Sequence, residues 1–285
     1  MNGQTPPPIR KIPTARGLAW MAGSWELFRR QPLRLLLISV FFLLVSQFFL
    51  SFSQSDALRL VVFLCLPVLS AGVLQAFFMV EQGEKPRLAV LFMPFAARGS
   101  LSRLLLLGGS VMVLTLIIVS VVLAGQVVDI DPEIITRIEQ GDLDALQFID
   151  PKIMQSAVIA MGIGAAISGS ISYFAVPLIW FKNQSMLSAV FLGLKALGRN
   201  WRPLLLMGVV LAFLAMPIVI LLGSFYLSAL SGGSGSSWLA LILLMLGSTY
   251  QLLLFGIQYL AFRDIFGLDK TIEGADKAAG DQLVA

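Results

Sequence analysis

Six long apolar runs dominate the sequence: Leu33–Phe52, Leu58–Val80, Leu104–Val128, Ile153–Phe181, Leu204–Leu230 and Trp238–Phe262. About 20 apolar residues in a helix cross the roughly 30 Å hydrocarbon core of a bilayer, and every run reaches that length. Hydrocarbon offers no water to backbone N–H and C=O groups, so each run must pair them internally as a helix. Barrel strands are about ten residues long and alternate in polarity, which these runs do not. The first run is too long for a signal-peptide core, and no small-x-small cleavage pattern follows it. The sequence therefore predicts an all-α membrane protein with six transmembrane helices.

Composition agrees. The 285 residues are 58% hydrophobic and 13% charged, whereas a soluble domain runs near 45–50% apolar and about 25% charged. An ordinary soluble enzyme is excluded. The formal charge of +4 does not mark a nucleic-acid binder, because the basic residues flank the apolar runs instead of forming one patch. All but Arg59, Arg137 and Lys152 of the 20 Lys and Arg fall on one side of the six-helix topology. The positive-inside rule then puts both termini in the cytoplasm.

The expected organisation is a disordered tail over residues 1–14, with Pro6-Pro7-Pro8, a single membrane domain over 15–262, and a cytoplasmic tail over 263–285. Two outer connections are short, around Gln54-Ser55-Asp56 and over the flexible Ser231-Gly232-Gly233-Ser234-Gly235-Ser236. The third, Asp129–Lys152, is long and acidic. Asp131-Pro132 and Asp150-Pro151 read as helix starts and Gly141 as a stop. A short surface helix with Ile134, Ile135 and Ile138 on one face is expected between them.

A motif recurs before each outward-going helix. Leu18, Met21, Ala22, Trp25 and Phe28 have amphipathic-helix spacing. So do Leu88, Leu91, Phe92 and Phe95, with Pro94 expected to kink or shorten that helix, and Met186, Leu187, Val190, Phe191, Leu194 and Leu197. Basic clusters follow at Arg29-Arg30, Arg98–Arg103 and Arg199–Arg202. The domain thus reads as three hairpins, each preceded by a cytoplasmic interfacial helix, in parallel pseudo-repeats of about 15–82, 83–182 and 183–262. Amphipathic helices of this kind lie among lipid headgroups, where each basic residue near the surface attracts anionic lipid by about 1 kcal/mol. The headgroup-binding candidates are Arg16, Arg29, Arg30, Arg34, Lys85, Arg87, Arg98, Arg103, Lys182, Lys195, Arg199 and Arg202; the alternative is that they only set topology and anchor the helices.

Catalytic chemistry has little to draw on. There is no histidine and one cysteine, Cys65, inside an apolar run. Ser168, Ser170, Ser172 and Tyr173 lack a neighbouring base to activate them. The stripes Ala160, Gly164, Ser168, Ser172 and Gly162, Ala166, Ser170 read as helix-packing surfaces, which makes the fourth membrane helix the expected centre of the bundle. Gln47, Gln75, Gln126, Tyr173, Tyr250, Gln251 and Gln258 are expected to bond between helices, or else to line a polar path. Pro67, Pro177 and Pro217 interrupt three helices and can act as kinks or hinges. No metal, phosphate-loop or dinucleotide motif occurs, and no cofactor is expected.

Trp25-Glu26-Leu27-Phe28-Arg29-Arg30-Gln31-Pro32, Leu66-Pro67-Val68-Leu69-Ser70-Ala71-Gly72 and Arg199-Asn200-Trp201 resemble elements of a family of uncharacterised bacterial multi-pass inner-membrane proteins. That family is similar in turn to the membrane domain of some glycerophosphodiester phosphodiesterases. The resemblance implies an inner-membrane location and a link to lipids, and no catalytic residue carries over. The expected function is non-enzymatic: engagement of membrane phospholipids in a structural or accessory envelope role, with a lipid or apolar-solute transporter or scramblase as the alternative. A second copy or another membrane protein is the open partner class.

Overall fold

The computed structural model describes residues 7–52, 56–124, 132–139, 145, 148–230 and 237–268. Every regular element among them is helical. In chain order these are α1 (Arg16–Arg30), α2 (Pro32–Phe52), α3 (Asp56–Glu81), a 3-10 turn (Leu88–Phe92), α4 (Met93–Ala96), α5 (Arg98–Leu123), α6 (Pro132–Glu139), α7 (Pro151–Lys182), α8 (Met186–Arg199), α9 (Trp201–Leu230) and α10 (Ser237–Phe266). Five of them contain spans long and apolar enough to cross a membrane, from Leu60–Glu81 to Trp238–Phe266, and α2 is a sixth apolar helix of 21 residues. The chain is an all-α, multi-pass integral membrane protein.

The order short element, long helix, long helix occurs three times. α1 precedes α2 and α3, the 3-10 turn with α4 precedes α5 and α7, and α8 precedes α9 and α10. Local chemistry sets these boundaries. Pro94 enters the first turn of α4 and the helix lasts four residues, as its ring predicts. Asp150 accepts the Lys152 amide at 2.8 Å with Pro151 in the first turn of α7, the start signal read from sequence. Pro67, Pro177 and Pro217 all lie inside continuous helices.

The core sits towards the end of the bundle that carries α1, α4 and α8, called the basic end below. There α3 from Pro67 to Val80, α7 from Phe174 to Ile179 and α10 from Gly256 to Phe262 are mostly buried. The centre of the bundle is α3 and not α7: 56% of an 18-residue apolar stretch of α3 is inside the protein against 22% of such a stretch of α7. Small residues explain why. Gly72 lets the 3-10 turn cross α3 so closely that a Cβ there would lie 2.6 Å from the Leu91 Cα, and Gly108 of α5 rides over the Leu64 carbonyl. In α7 only Ala160, Gly164 and Ser168 of the expected stripes are buried, and Ser168 bonds Thr115 of α5 at 2.5 Å. Gly162, Ala166 and Ser170 face outwards.

Two expected boundaries change. Residues 10–14 do not form a loose tail. The Arg10 amide donates to the Ile265 carbonyl at 2.9 Å, and the Asn200 side chain accepts from the Ile12 amide at 2.8 Å and donates to the Arg10 carbonyl. This strap joins the first unit to the third, because Asn200 offers a backbone-like donor and acceptor in one side chain. α10 runs past Phe262 to Phe266, whose ring packs on Phe262 and Phe174, so Arg263 and Asp264 belong to the bundle. Residues 1–6, the Gln54-Ser55 connection, Gln126, the acidic residues 129, 131, 142 and 144, Gly141, the loop 231–236 and the tail 269–285 lie outside the described residues, as do the side chains of Gln47 and Arg59.

Candidate phospholipid headgroup interface

α1 presents two adjoining faces. Gly17, Trp20, Ser24 and Leu27 are buried on the bundle. Gly17 packs on the Pro203 carbonyl and Ser24 Oγ donates to the Leu253 carbonyl at 3.0 Å. Leu18 and Trp25 stay exposed beside the half-buried Met21 and Phe28. The apolar spacing read from sequence is therefore the outward face, and the protein-facing stripe is the one carrying glycine and serine. α8 repeats this arrangement: Ala189, Gly193 and Ala196 are buried while Leu187 and Phe191 are exposed.

The twelve candidate basic residues fall into separate roles. Arg103 is tied to protein: its Nε donates to Gly99 O at 2.6 Å, its Nη1 to Asn183 O and Gln184 O at 2.6 and 2.9 Å, and its Nη2 to Asn183 Oδ1. It thereby ties down the turn between α7 and α8, where Asn183 in the left-handed conformation (φ 51°) ends α7. Arg16 pairs with Asp264 at 2.9 Å, and Arg30 pairs with Glu26 one turn earlier at 2.8 Å. Arg202 stacks on Trp201. Arg29, Lys85, Arg87, Arg98, Lys182, Lys195 and Arg199 make no ion pair among the described residues.

Arg34 and Arg87 meet at one groove. It has a volume of about 410 Å³ and is lined by Arg34, Leu37, Ile38, Val40, Phe41 and Leu44 of α2 with Pro86, Arg87 and Leu88. Arg34 Nη1 lies 3.4 Å from the Lys85 and Pro86 carbonyls, which holds its guanidinium at the mouth. Phe92 closes one side by packing edge-on against Phe41 at 6.0 Å. Arg34, Leu37, Phe41 and Leu44 form a single stripe down α2. Ten residues of helix span about 15 Å, roughly half of the 30 Å hydrocarbon core. No carboxylate lines the groove. Two positive charges line an otherwise largely apolar groove.

A second cluster, which the sequence reading missed, ties α1, α3 and α10 together. Glu81 accepts from Arg263 Nη1 and from the Tyr259 hydroxyl. Asp264 Oδ2 accepts the Trp20 indole N–H and Arg16 Nε, each at 2.9 Å, while its Oδ1 accepts Arg263 Nη2 at 3.1 Å. Glu81 and Asp264 stand at helix ends next to polar sequence, so no pattern separates them from ordinary terminal charges.

The glutamines at membrane depth mostly bond between helices. Gln75 accepts from Trp180 Nε1 at 3.0 Å, Gln258 donates to the Tyr173 carbonyl at 2.6 Å, and Gln251 lies 3.4 Å from Ser39 Oγ. Tyr250 donates to the Leu211 carbonyl at 3.1 Å. An apolar cleft of about 460 Å³ opens between α3, α5 and α7, with Pro67, Ser70, Thr115, Ser168 and Ser172 on its walls. Among the described residues no cluster of three metal-ligating side chains occurs.

No protein-family model matches the chain, and no curated protein and no solved structure matches it. What the protein binds is therefore to be read from its own residues.

Proposed function

We propose that the protein is a non-enzymatic component of a bacterial inner membrane that engages anionic phospholipids at its basic end, with both termini in the cytoplasm. The observation that carries this reading is the α2 groove. Arg34 and Arg87 offer their guanidinium groups to a headgroup phosphate, and Leu37, Phe41 and Leu44 offer an apolar wall to an acyl chain. A guanidinium suits the role because its fork of N–H groups matches phosphate oxygens. The exposed faces of α1 and α8, with Arg29 and Arg199 at their ends, extend the same surface. The gathering of Lys and Arg on one side of the helix topology supports the orientation, and the missing histidine supports a binding role over catalysis.

Native mass spectrometry of the protein titrated with phosphatidylglycerol and phosphatidylcholine tests it. Phosphatidylglycerol adducts are expected to persist at higher collision energy, and Arg34→Gln with Arg87→Gln to remove that preference. Equal retention of both lipids by the unaltered chain refutes the reading.

The cleft between α3, α5 and α7 favours a second reading, movement of a lipid or apolar solute through the bundle. Small residues, hydroxyls and the in-helix Pro67 supply a partly polar, deformable wall at membrane depth. A fluorescent-lipid translocation assay in reconstituted vesicles tests it, and a rate equal to that of protein-free vesicles excludes it.

A further inference from the structure

We infer that the cleft between the N-terminal strap and the end of α10 binds a phosphate monoester. The cleft, about 580 Å³, is separate from the α2 groove and is lined by Arg10, Arg16, Arg263 and Asp264 among others. Counting donors shows where a ligand belongs. Arg263 has its charge answered: Nη1 goes to Glu81, and Nε and Nη2 go to Asp264 Oδ1, with one N–H left on each terminal nitrogen. Asp264 is fully used, since its other oxygen takes Trp20 and Arg16 Nε. Arg16 and Arg263 are thus balanced by Glu81 and Asp264. Arg10 is balanced by nothing among the described residues, and both terminal nitrogens of Arg16 retain their N–H groups.

The Arg10 backbone is nevertheless fixed. Its amide bonds Ile265, its carbonyl accepts from Asn200, and the Ile12 amide two residues on bonds Asn200 again. Its guanidinium rests on Gly267, whose φ of +68° favours glycine and where a Cβ would sit 3.3 Å from Arg10 Nη2. An unpaired guanidinium lining the same cleft as a second with free donors fits an oxyanion with several acceptor oxygens. A phosphate monoester supplies them, either as a lipid headgroup (phosphatidate) or as a soluble compound such as glycerol phosphate.

The test uses the full chain in phosphatidylcholine nanodiscs. Glycerol phosphate is titrated calorimetrically, and phosphatidate is titrated into the nanodiscs in a second arm. Both arms use the chain carrying Arg34→Gln and Arg87→Gln, which silences the α2 groove, and binding is expected in at least one of them, weakened tenfold or more when Arg10→Gln is added. Binding in the first arm identifies a soluble ligand, and binding in the second alone identifies a lipid. Arg10→Lys keeps the charge, loses the fork and is expected to bind at intermediate strength. The Arg10→Gln unfolding midpoint is expected to match the parent, since that guanidinium has no acceptor among the described residues. Absence of binding in both arms, or binding indifferent to Arg10→Gln, overturns the inference.

Discussion

The Trp20 indole donates to the Asp264 carboxylate at 2.9 Å, joining the interfacial helix of the first unit to the last membrane helix of the third. The Asp264 side chain is 12% exposed and also receives Arg16 and Arg263. Replacing it with asparagine removes a charge on which three donors converge. Leaving buried donors without a partner costs about 1–3 kcal/mol. Asp264→Asn is expected to lower the unfolding midpoint in detergent clearly, and Arg16→Gln much less, because the Arg16 side chain is 51% exposed and its pair is screened by water. Thermal melts followed by Trp fluorescence check both. Equal effects contradict the assignment of Asp264 as the hub.

Glycine positions separate contact from open surface. A Cβ at Gly72 meets Leu91 backbone at 2.6 Å, and one at Gly256 meets Ser24 Oγ at 2.2 Å, while nothing lies within 4 Å of Gly162. Overpacking of this kind costs roughly 1–3 kcal/mol. Gly72→Ala and Gly256→Ala are expected to destabilise, and Gly162→Ala to leave unfolding unchanged. Steric trapping or denaturant titration in micelles measures the difference.

Arg103 differs in role from Arg34 and Arg87. Arg103→Ala is expected to reduce stability by loosening the α7–α8 turn, while anionic lipid retention stays near the parental value. Arg34→Gln with Arg87→Gln is expected to do the reverse. Parallel melts and lipid-adduct counts on the two variants make the comparison. Loss of lipid in Arg103→Ala at unchanged stability would reassign that residue to the headgroup surface.

The basic helix ends act collectively. Changing Arg29, Arg30, Arg199 and Arg202 to Gln removes four positive charges, each worth about 1 kcal/mol near an anionic surface. The number of phosphatidylglycerol molecules co-purifying with the protein is expected to fall, and the effect to shrink in high salt. An unchanged lipid count would confine headgroup contact to the α2 groove.

The membrane helices were legible because apolar runs of their length have one solution in hydrocarbon. The Asp150-Pro151 start and the Pro94 break were legible because capping and ring closure act within a few residues. Other features depended on distant partners. Asn200 reads as a helix end until the strap, 188 positions away, is laid against it. The α1 face with Gly17 and Ser24 looks polar in sequence, yet small side chains are what allow close helix contact, so spacing alone selected the exposed stripe. The small-residue pattern pointed to α7 for the same reason, whereas the closest packing falls on Gly72 of α3. Among the basic candidates, sequence gave no means of telling Arg103, which closes a turn, from Arg34, which stands over a groove.

A density map of the protein in phosphatidylglycerol nanodiscs tests the lipid reading most directly. A phosphate peak within hydrogen-bonding distance of both Arg34 and Arg87, with acyl density along Leu37, Phe41 and Leu44, is the expected result. A groove without ordered lipid, or lipid headgroups ordered only elsewhere on the protein, would contradict it.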